Sequence, residues 1–210
     1  MLSLEYSGGV TLENLANKIA GFLIYNEIAA EGDRDIFVYG LVHLFSHGIG
    51  LAIALVIGFA FAIPAEMLVF FIPFIALRTS AGGYHAGTFW GCAAVSGVTI
   101  LVIAIVISVL PAVAYLPIIG IIASASFAVI FMFAPVENEN RPIMPNERVR
   151  FRKRSWLVVV VCIVAIISFL VLGGSHYAFC AALGVGLAAS STVAALIKQK
   201  VIRRKAYEKA

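Results

Sequence analysis

Two residues of this 210-residue chain have the chemistry of a nucleophile and its base. His85 and Cys92 lie seven residues apart, and a histidine that removes the proton of a cysteine leaves a thiolate, which attacks carbonyl carbon atoms. On a straight helix the two Cα atoms would be about 10.5 Å apart, too far for a hydrogen bond between the side chains. The pair therefore requires a bend, which Gly87 and Gly91 would allow, or a partner from another protomer.

The segment 78–92 around this pair is unlike the rest of the chain. It combines a cation, hydroxyl groups, three large aromatic side chains and four glycines, and Arg78 is its only charged residue. Irregular backbone at membrane depth is tolerated only when it is buried in protein or lines a wet cavity. Arg78 could hold an acidic group, orient the loop or stabilise an oxyanion. In a non-catalytic alternative, the segment only packs.

Other reactive side chains in apolar surroundings give weaker signals. His43 and His47 have the spacing of a metal-binding pair, but no carboxylate or thiol accompanies them in that stretch. Glu66 fits an interfacial or turn carboxylate. Cys162 and Cys180 lie in apolar runs, where a thiol behaves as a small hydrophobe. We therefore predict neither a metal site nor a cofactor.

The composition identifies the class of protein that must position these residues. Apolar residues make up 62% of the chain and charged residues 12%, against about 45–50% and about 25% in soluble domains. Three stretches of 30, 58 and 43 residues contain no Asp, Glu, Lys or Arg. A bilayer can accommodate that much uncharged chain, whereas a soluble fold of this size cannot. A secreted disulfide scaffold, a disordered tail and a nucleic-acid-binding domain are excluded.

The apolar runs predict an all-α polytopic membrane protein with about six transmembrane helices and an N-terminal amphipathic interfacial helix. Each run approaches the roughly 20 residues that a helix needs to cross a bilayer, and none alternates as barrel strands do. The second run is the shortest, and whether it crosses decides on which side the N-terminus lies. The predicted spans are 38–60, 63–77, 93–110, 116–134, 155–172 and 176–197.

The distribution of charged residues divides the chain into segments and predicts its orientation in the membrane. Segment 1–35 contains six acids and two bases, with apolar residues at helical spacing, and fits an interfacial helix or a cap packed on the bundle. A transmembrane bundle over 36–197 follows. The loop 136–154 and the tail 198–210 are basic, which predicts that both are cytoplasmic. Counting spans places the segment 78–92 on the same side.

Several of these residues resemble the signature of a known family. Arg78, the stretch Gly82-Gly83-Tyr84-His85 and Cys92 resemble the signature of the AgrB family, the accessory gene regulator B membrane peptidases of Gram-positive quorum sensing. The segment 134–142, Ala-Pro-Val-Glu-Asn-Glu-Asn-Arg-Pro, and the basic run 147–155 that follows it resemble that family's central cytoplasmic loop. The resemblance covers most of the chain. At position 43, where an acid is common in the family, this chain has histidine.

The resemblance implies a cysteine endopeptidase that acts on a small AgrD-like precursor peptide. Cys92 would be the nucleophile and His85 its base, with Arg78 and Gly83 as supporting positions of the motif. The reaction would pass through an acyl-enzyme thioester, remove the C-terminal tail of the precursor, and help to close a thiolactone or lactone ring. The product would be a quorum-sensing autoinducing peptide.

The implied partners are the precursor, the lipid bilayer of the cell membrane and a second copy of the chain in a homodimer; no nucleic acid is expected. The basic run near position 150 is explained by topology and anionic lipid, or by docking of an acidic precursor tail. A small transporter or exporter of a peptide or metal ion is the alternative function. The basic side chains of the run are Arg148, Arg150, Arg152, Lys153 and Arg154.

Overall fold

The computed structural model describes residues 10–83, 89–136 and 145–207, and within these ranges the regular structure is entirely helical. Two short 3-10 turns, Glu31–Asp33 and Ala112–Ala114, precede the second and fifth α-helices. The α-helices are α1 (Val10–Tyr25), α2 (Arg34–Ala60), α3 (Pro64–Ala81), α4 (Phe89–Val109), α5 (Tyr115–Phe133), α6 (Pro145–Val171) and α7 (Ser175–Tyr207).

Six of these helices, α2 to α7, are long and apolar enough to span a membrane. The prediction of an all-α multi-pass membrane protein with six spans and an N-terminal helix is therefore confirmed. The span that was hardest to predict, α3, has 18 residues and is about 27 Å long at 1.5 Å per residue. That length approaches the thickness of about 30 Å of a bilayer's hydrocarbon core.

Several helices extend beyond the apolar runs that predicted them. Helix α3 continues to Ala81, α6 begins at Pro145, and α7 continues to Tyr207. Arginine, lysine and glutamine are good helix formers, so a helix need not end where its apolar residues end. As a result, the first turns of α6 and the last turns of α7 have basic surfaces.

Helices α3 and α7 form the centre of the bundle. Phe70 and Leu77 of α3 and Phe179 of α7 are completely buried between the helices. The two backbones approach closely at Gly184, where a Cβ atom would collide with the Phe70 carbonyl oxygen and lie 3.0 Å from Pro73 Cγ. Helices α5 and α6 pack against α7, whereas α2 packs against α3 and α4 packs mainly against α2.

Helix α1 packs against α2 and also presents apolar side chains outward. Ala16 and Ala20 are fully buried, whereas Leu15 and Phe22 are 45% and 64% exposed. Helix α1 therefore has features of both a cap on the bundle and an interfacial helix. One of its faces contacts α2, and another is free to contact the headgroup region.

Candidate active site

The motif residues that the structure describes lie where α3 ends and α4 begins. Arg78 is in the last turn of α3, and Gly82 and Gly83 follow that helix directly. Cys92 is in the first turn of α4 and is half-buried. His85 lies outside the described residues, so its contact with Cys92 stays a prediction.

The Arg78 side chain points into the bundle and contacts α7. Its Nη1 atom donates a hydrogen bond of 2.7 Å to Ser191 Oγ, and the guanidinium carbon lies 5.8 Å from the centroid of the Phe74 ring. Cys92 and His47 are both within range of electrostatic interaction with this cation. The fixed positive charge of Arg78 could stabilise an oxyanion that develops in this region.

The two glycines after α3 permit close contacts that a side chain would prevent. Gly82 has φ +79° and ψ −172°, a region of backbone conformation that essentially only glycine adopts. A Cβ atom there would collide with the carbonyl oxygen of Val136. Val136 N in turn donates a 2.9 Å hydrogen bond to Ala81 O, so residues 134–136 are fastened to the end of α3.

Gly83 is close to both partners of the Arg78 hydrogen bond. A Cβ atom on Gly83 would lie 2.6 Å from Ser191 Oγ and 3.2 Å from Arg78 Nη1, and the first distance is shorter than non-bonded atoms tolerate. This close approach gives a physical reason for glycine at this motif position.

A cavity of about 340 Å³ opens beside these residues. Helix α2 contributes one wall and α3 with Gly82 and Gly83 contributes another; Pro135, Val136 and Phe151 complete the lining. On α2, the Tyr39 ring lies 4.2 Å from the His43 ring, which lies 6.0 Å from that of His47. The α2 wall of the cavity thus carries aromatic and imidazole rings, and the α3 wall carries the Arg78 guanidinium.

His47 has a buried hydrogen-bonding atom on this wall. Its Nε2 atom is inaccessible to solvent and has no hydrogen-bond partner among the described residues. A buried polar atom of this kind normally pairs with protein or ordered water. Groups of three or more residues able to hold a metal ion do not occur in the described part of the chain.

The model of the family AgrB, accessory gene regulator B, matches residues 16–192. The chain belongs to the AgrB family. No curated protein and no solved structure matches it. Membership in the AgrB family confirms the resemblance noted from the sequence and implies involvement in processing accessory gene regulator quorum-sensing peptides. The match includes every element around the cavity, from Tyr39 on α2 to Ser191 on α7.

Several residues of this AgrB-family site were not predicted as site residues from the sequence, among them Tyr39, Val136 and Ser191. Tyr39 could have been found, because it precedes His43 by four residues and so shares its helix face. Ser191 is 113 residues away from Arg78 in the chain. A serine in an apolar helix carries no local signal that it contacts another helix.

The basic run flanks the cavity. Arg148, Arg150, Arg152, Lys153 and Arg154 all lie on the first turns of α6 and are all exposed. Phe151, in the middle of this run, lines the cavity. In this member of the AgrB family, the positive surface and the candidate site therefore lie at the same end of the bundle.

A second polar cluster lies at the opposite end, distant from the family motif. His176 Nε2 is 3.6 Å from Glu66 Oε1, and the Tyr115 hydroxyl is 3.0 Å from His176 Nδ1. Glu66 and Arg78 are twelve residues apart on α3, which corresponds to about 18 Å along the helix. Glu66 is thereby too far away to act directly on the motif.

The two remaining cysteines are buried, Cys162 in α6 and Cys180 in α7. Cys180 is completely inaccessible. Their positions fit the prediction that both are packing residues.

Proposed function

We propose that this AgrB-family protein is a membrane cysteine endopeptidase that removes the C-terminal tail of an AgrD-like precursor and promotes closure of a thiolactone or lactone ring. The observation that supports the proposal best is that Arg78, which lines a cavity with an aromatic wall, interacts electrostatically with Cys92 in the first turn of α4. Cys162 and Cys180, in contrast, are buried away from any such arrangement.

The first half of the reaction is cleavage. His85 takes the thiol proton of Cys92, and the thiolate attacks the scissile carbonyl carbon. The C–N bond then breaks, the leaving amine takes the proton back from His85, and a thioester joins the precursor to Cys92. Negative charge develops first on sulfur and then on the carbonyl oxygen. The fixed charge of Arg78 stabilises both.

The second half is transfer of the acyl group within the precursor. A cysteine thiol or serine hydroxyl of the precursor attacks the thioester and gives its proton to His85. Cys92 leaves as a thiolate and is reprotonated by His85, which restores the resting enzyme. With a thiol nucleophile one thioester replaces another, so little free energy is needed. Water must be excluded, because hydrolysis would destroy the activated acyl group.

The surroundings of the site fit a peptide substrate. A cavity of about 340 Å³ lies in the size range of small-ligand pockets and can take a short stretch of peptide. The exposed basic residues of α6 would dock an acidic precursor tail, and by the positive-inside rule they favour a cytoplasmic position for the site.

Co-expression with a candidate precursor, followed by mass measurement of the released tail, tests this function. We expect Cys92→Ala and His85→Ala to abolish cleavage, because each removes a reacting group. Cys162→Ala and Cys180→Ala are matched controls, and both should retain cleavage at normal membrane abundance. Continued cleavage by the Cys92→Ala protein would refute the proposal.

A further inference from the structure

We infer that Ser191 of α7 is a positioning residue of the candidate active site, which orients Arg78 and makes glycine necessary at position 83. The inference rests on the proposed function, since it assigns Arg78 a role in the reaction. It connects residues from two parts of the chain, the end of α3 and the middle of α7, that meet at one point.

The hydrogen bonding of Ser191 differs from that of its neighbours on α7. Ser190 Oγ donates to Gly186 O at 2.8 Å, and Thr192 Oγ1 donates to Ala188 O at 3.0 Å. These hydroxyls bond within their own helix, as serine and threonine in membrane helices usually do. Ser191 Oγ reaches another helix, because it accepts a bond of 2.7 Å from Arg78 Nη1 on α3.

This bond fixes a side chain that otherwise has many rotamers. An arginine side chain loses considerable rotational freedom when it is held in one geometry, and the charge-assisted bond to Ser191 selects that geometry. The guanidinium is held between Phe74 and α7, within electrostatic range of Cys92. The Ser191 hydroxyl is therefore one of the contacts that define the direction in which the Arg78 charge points.

Gly83 lies next to the hydrogen bond between Arg78 and Ser191. The 2.6 Å separation between its Cβ position and Ser191 Oγ means that alanine at 83 must displace the serine hydroxyl, the arginine or the chain itself. If the hydroxyl is removed, the nearest remaining atom is Arg78 Nη1 at 3.2 Å, which can yield by a small rotation. The structure therefore predicts that the effects of substitutions at Gly83 and Ser191 on the cleavage rate are not independent.

The test measures cleavage of a synthetic precursor by purified protein in liposomes. Ser191→Ala should lower kcat about 10- to 100-fold, the range expected for loss of a hydrogen bond to a charged group, with a much smaller change in KM. The effect falls on kcat because Arg78 acts on charge that develops during the reaction. Ser191→Thr retains a hydroxyl and should restore most of the rate. Ser190→Ala is the matched control and should behave as the wild type.

The double variant gives the sharper result. Gly83→Ala alone should be less active than Gly83→Ala with Ser191→Ala, because the second change removes the atom that the new Cβ meets. A double variant whose loss equals the product of the two single losses would refute the connection between the two residues. Circular dichroism and membrane abundance identify the fraction folded, and rates are expressed per folded protein.

The outcomes separate the two proposals. Cleavage by Cys92→Ala would refute the proposed function itself. If Cys92→Ala is inactive but Ser191→Ala has the kcat of Ser190→Ala, the proposed function stands and the positioning role is wrong. The role is equally wrong if Ser191→Ala lowers only the amount of folded protein.

Discussion

Replacing Gly82 with alanine should damage the site while leaving the bundle assembled. The residue has φ +79° and ψ −172°, a conformation that costs a side-chain-bearing residue about 1–3 kcal/mol. The new Cβ would also collide with Val136 O, and overpacking of this kind typically costs about 1–3 kcal/mol. The combined strain is about 2–6 kcal/mol if the surroundings do not move.

Residues 134–136 can relieve this collision at a lower cost in free energy by moving away from the new Cβ. The hydrogen bond from Val136 N to Ala81 O contributes about 1 kcal/mol, so breaking it and displacing residues 134–136 costs less than retaining the collision. That displacement moves Pro135 and Val136, which line the cavity. A displacement of about 1 Å at an active site can lower the rate about 10²-fold. We therefore expect a loss of cleavage of this order with nearly normal amounts of protein in the membrane.

Gly173→Ala is the matched control. Gly173 has the same φ of +79°, but no atom lies within 4 Å of its Cβ position. This variant should lose about 1–2 kcal/mol of stability through backbone strain alone and retain cleavage. Both variants are compared by tail release in membranes and by thermal unfolding in detergent. If Gly82→Ala cleaves the precursor at the rate of Gly173→Ala, the assignment of residues 134–136 as a wall of the site is wrong.

Two further substitutions test the packing of α3 on α7 and the basic surface of α6. Gly184→Ala should lower the free energy of unfolding by about 1–3 kcal/mol, because its Cβ would meet the backbone of α3. The control Gly120→Ala, with open space around the new Cβ, should leave the free energy of unfolding unchanged. Equal unfolding midpoints for the two variants would contradict the packing argument. The double variant Arg150→Gln with Arg154→Gln should have a higher KM for a precursor with an acidic tail, and that KM should depend less on salt concentration. Salt weakens the attraction because the Debye length falls from about 10 Å at 0.1 M to about 3 Å at 1 M. A wild-type KM that does not change with salt would argue against tail docking.

The membrane spans could be predicted from the sequence because lipid imposes a simple constraint. A helix that crosses hydrocarbon must be long and almost uncharged, so the gaps between charged residues locate the spans. The end of α3 was harder to predict, because the last four residues, Arg78 to Ala81, include three polar side chains. Their polar groups are satisfied in ways that the local sequence does not reveal. Thr79 and Ser80 bond back to Ala76 O, and Arg78 bonds to Ser191.

The candidate site could be predicted only in part, for a related reason. Arg78, Gly83 and Cys92 are close in sequence and belong to a recognisable motif. The residues that hold them, Val136 and Ser191, come from distant segments. Contacts of that kind depend on how the helices pack, and a serine or valine in an apolar run is compatible with many arrangements.

The attachment of α4 has a consequence for the setting in which the thiol works. This helix carries Cys92 and packs mainly against α2, while Val95, Val98 and Val102 project outward from it. Acyl chains would contact these outward-facing side chains and help to set the depth and tilt of the helix. The thickness and composition of the surrounding lipid are therefore among the factors that would set the height of Cys92 relative to the cation on α3.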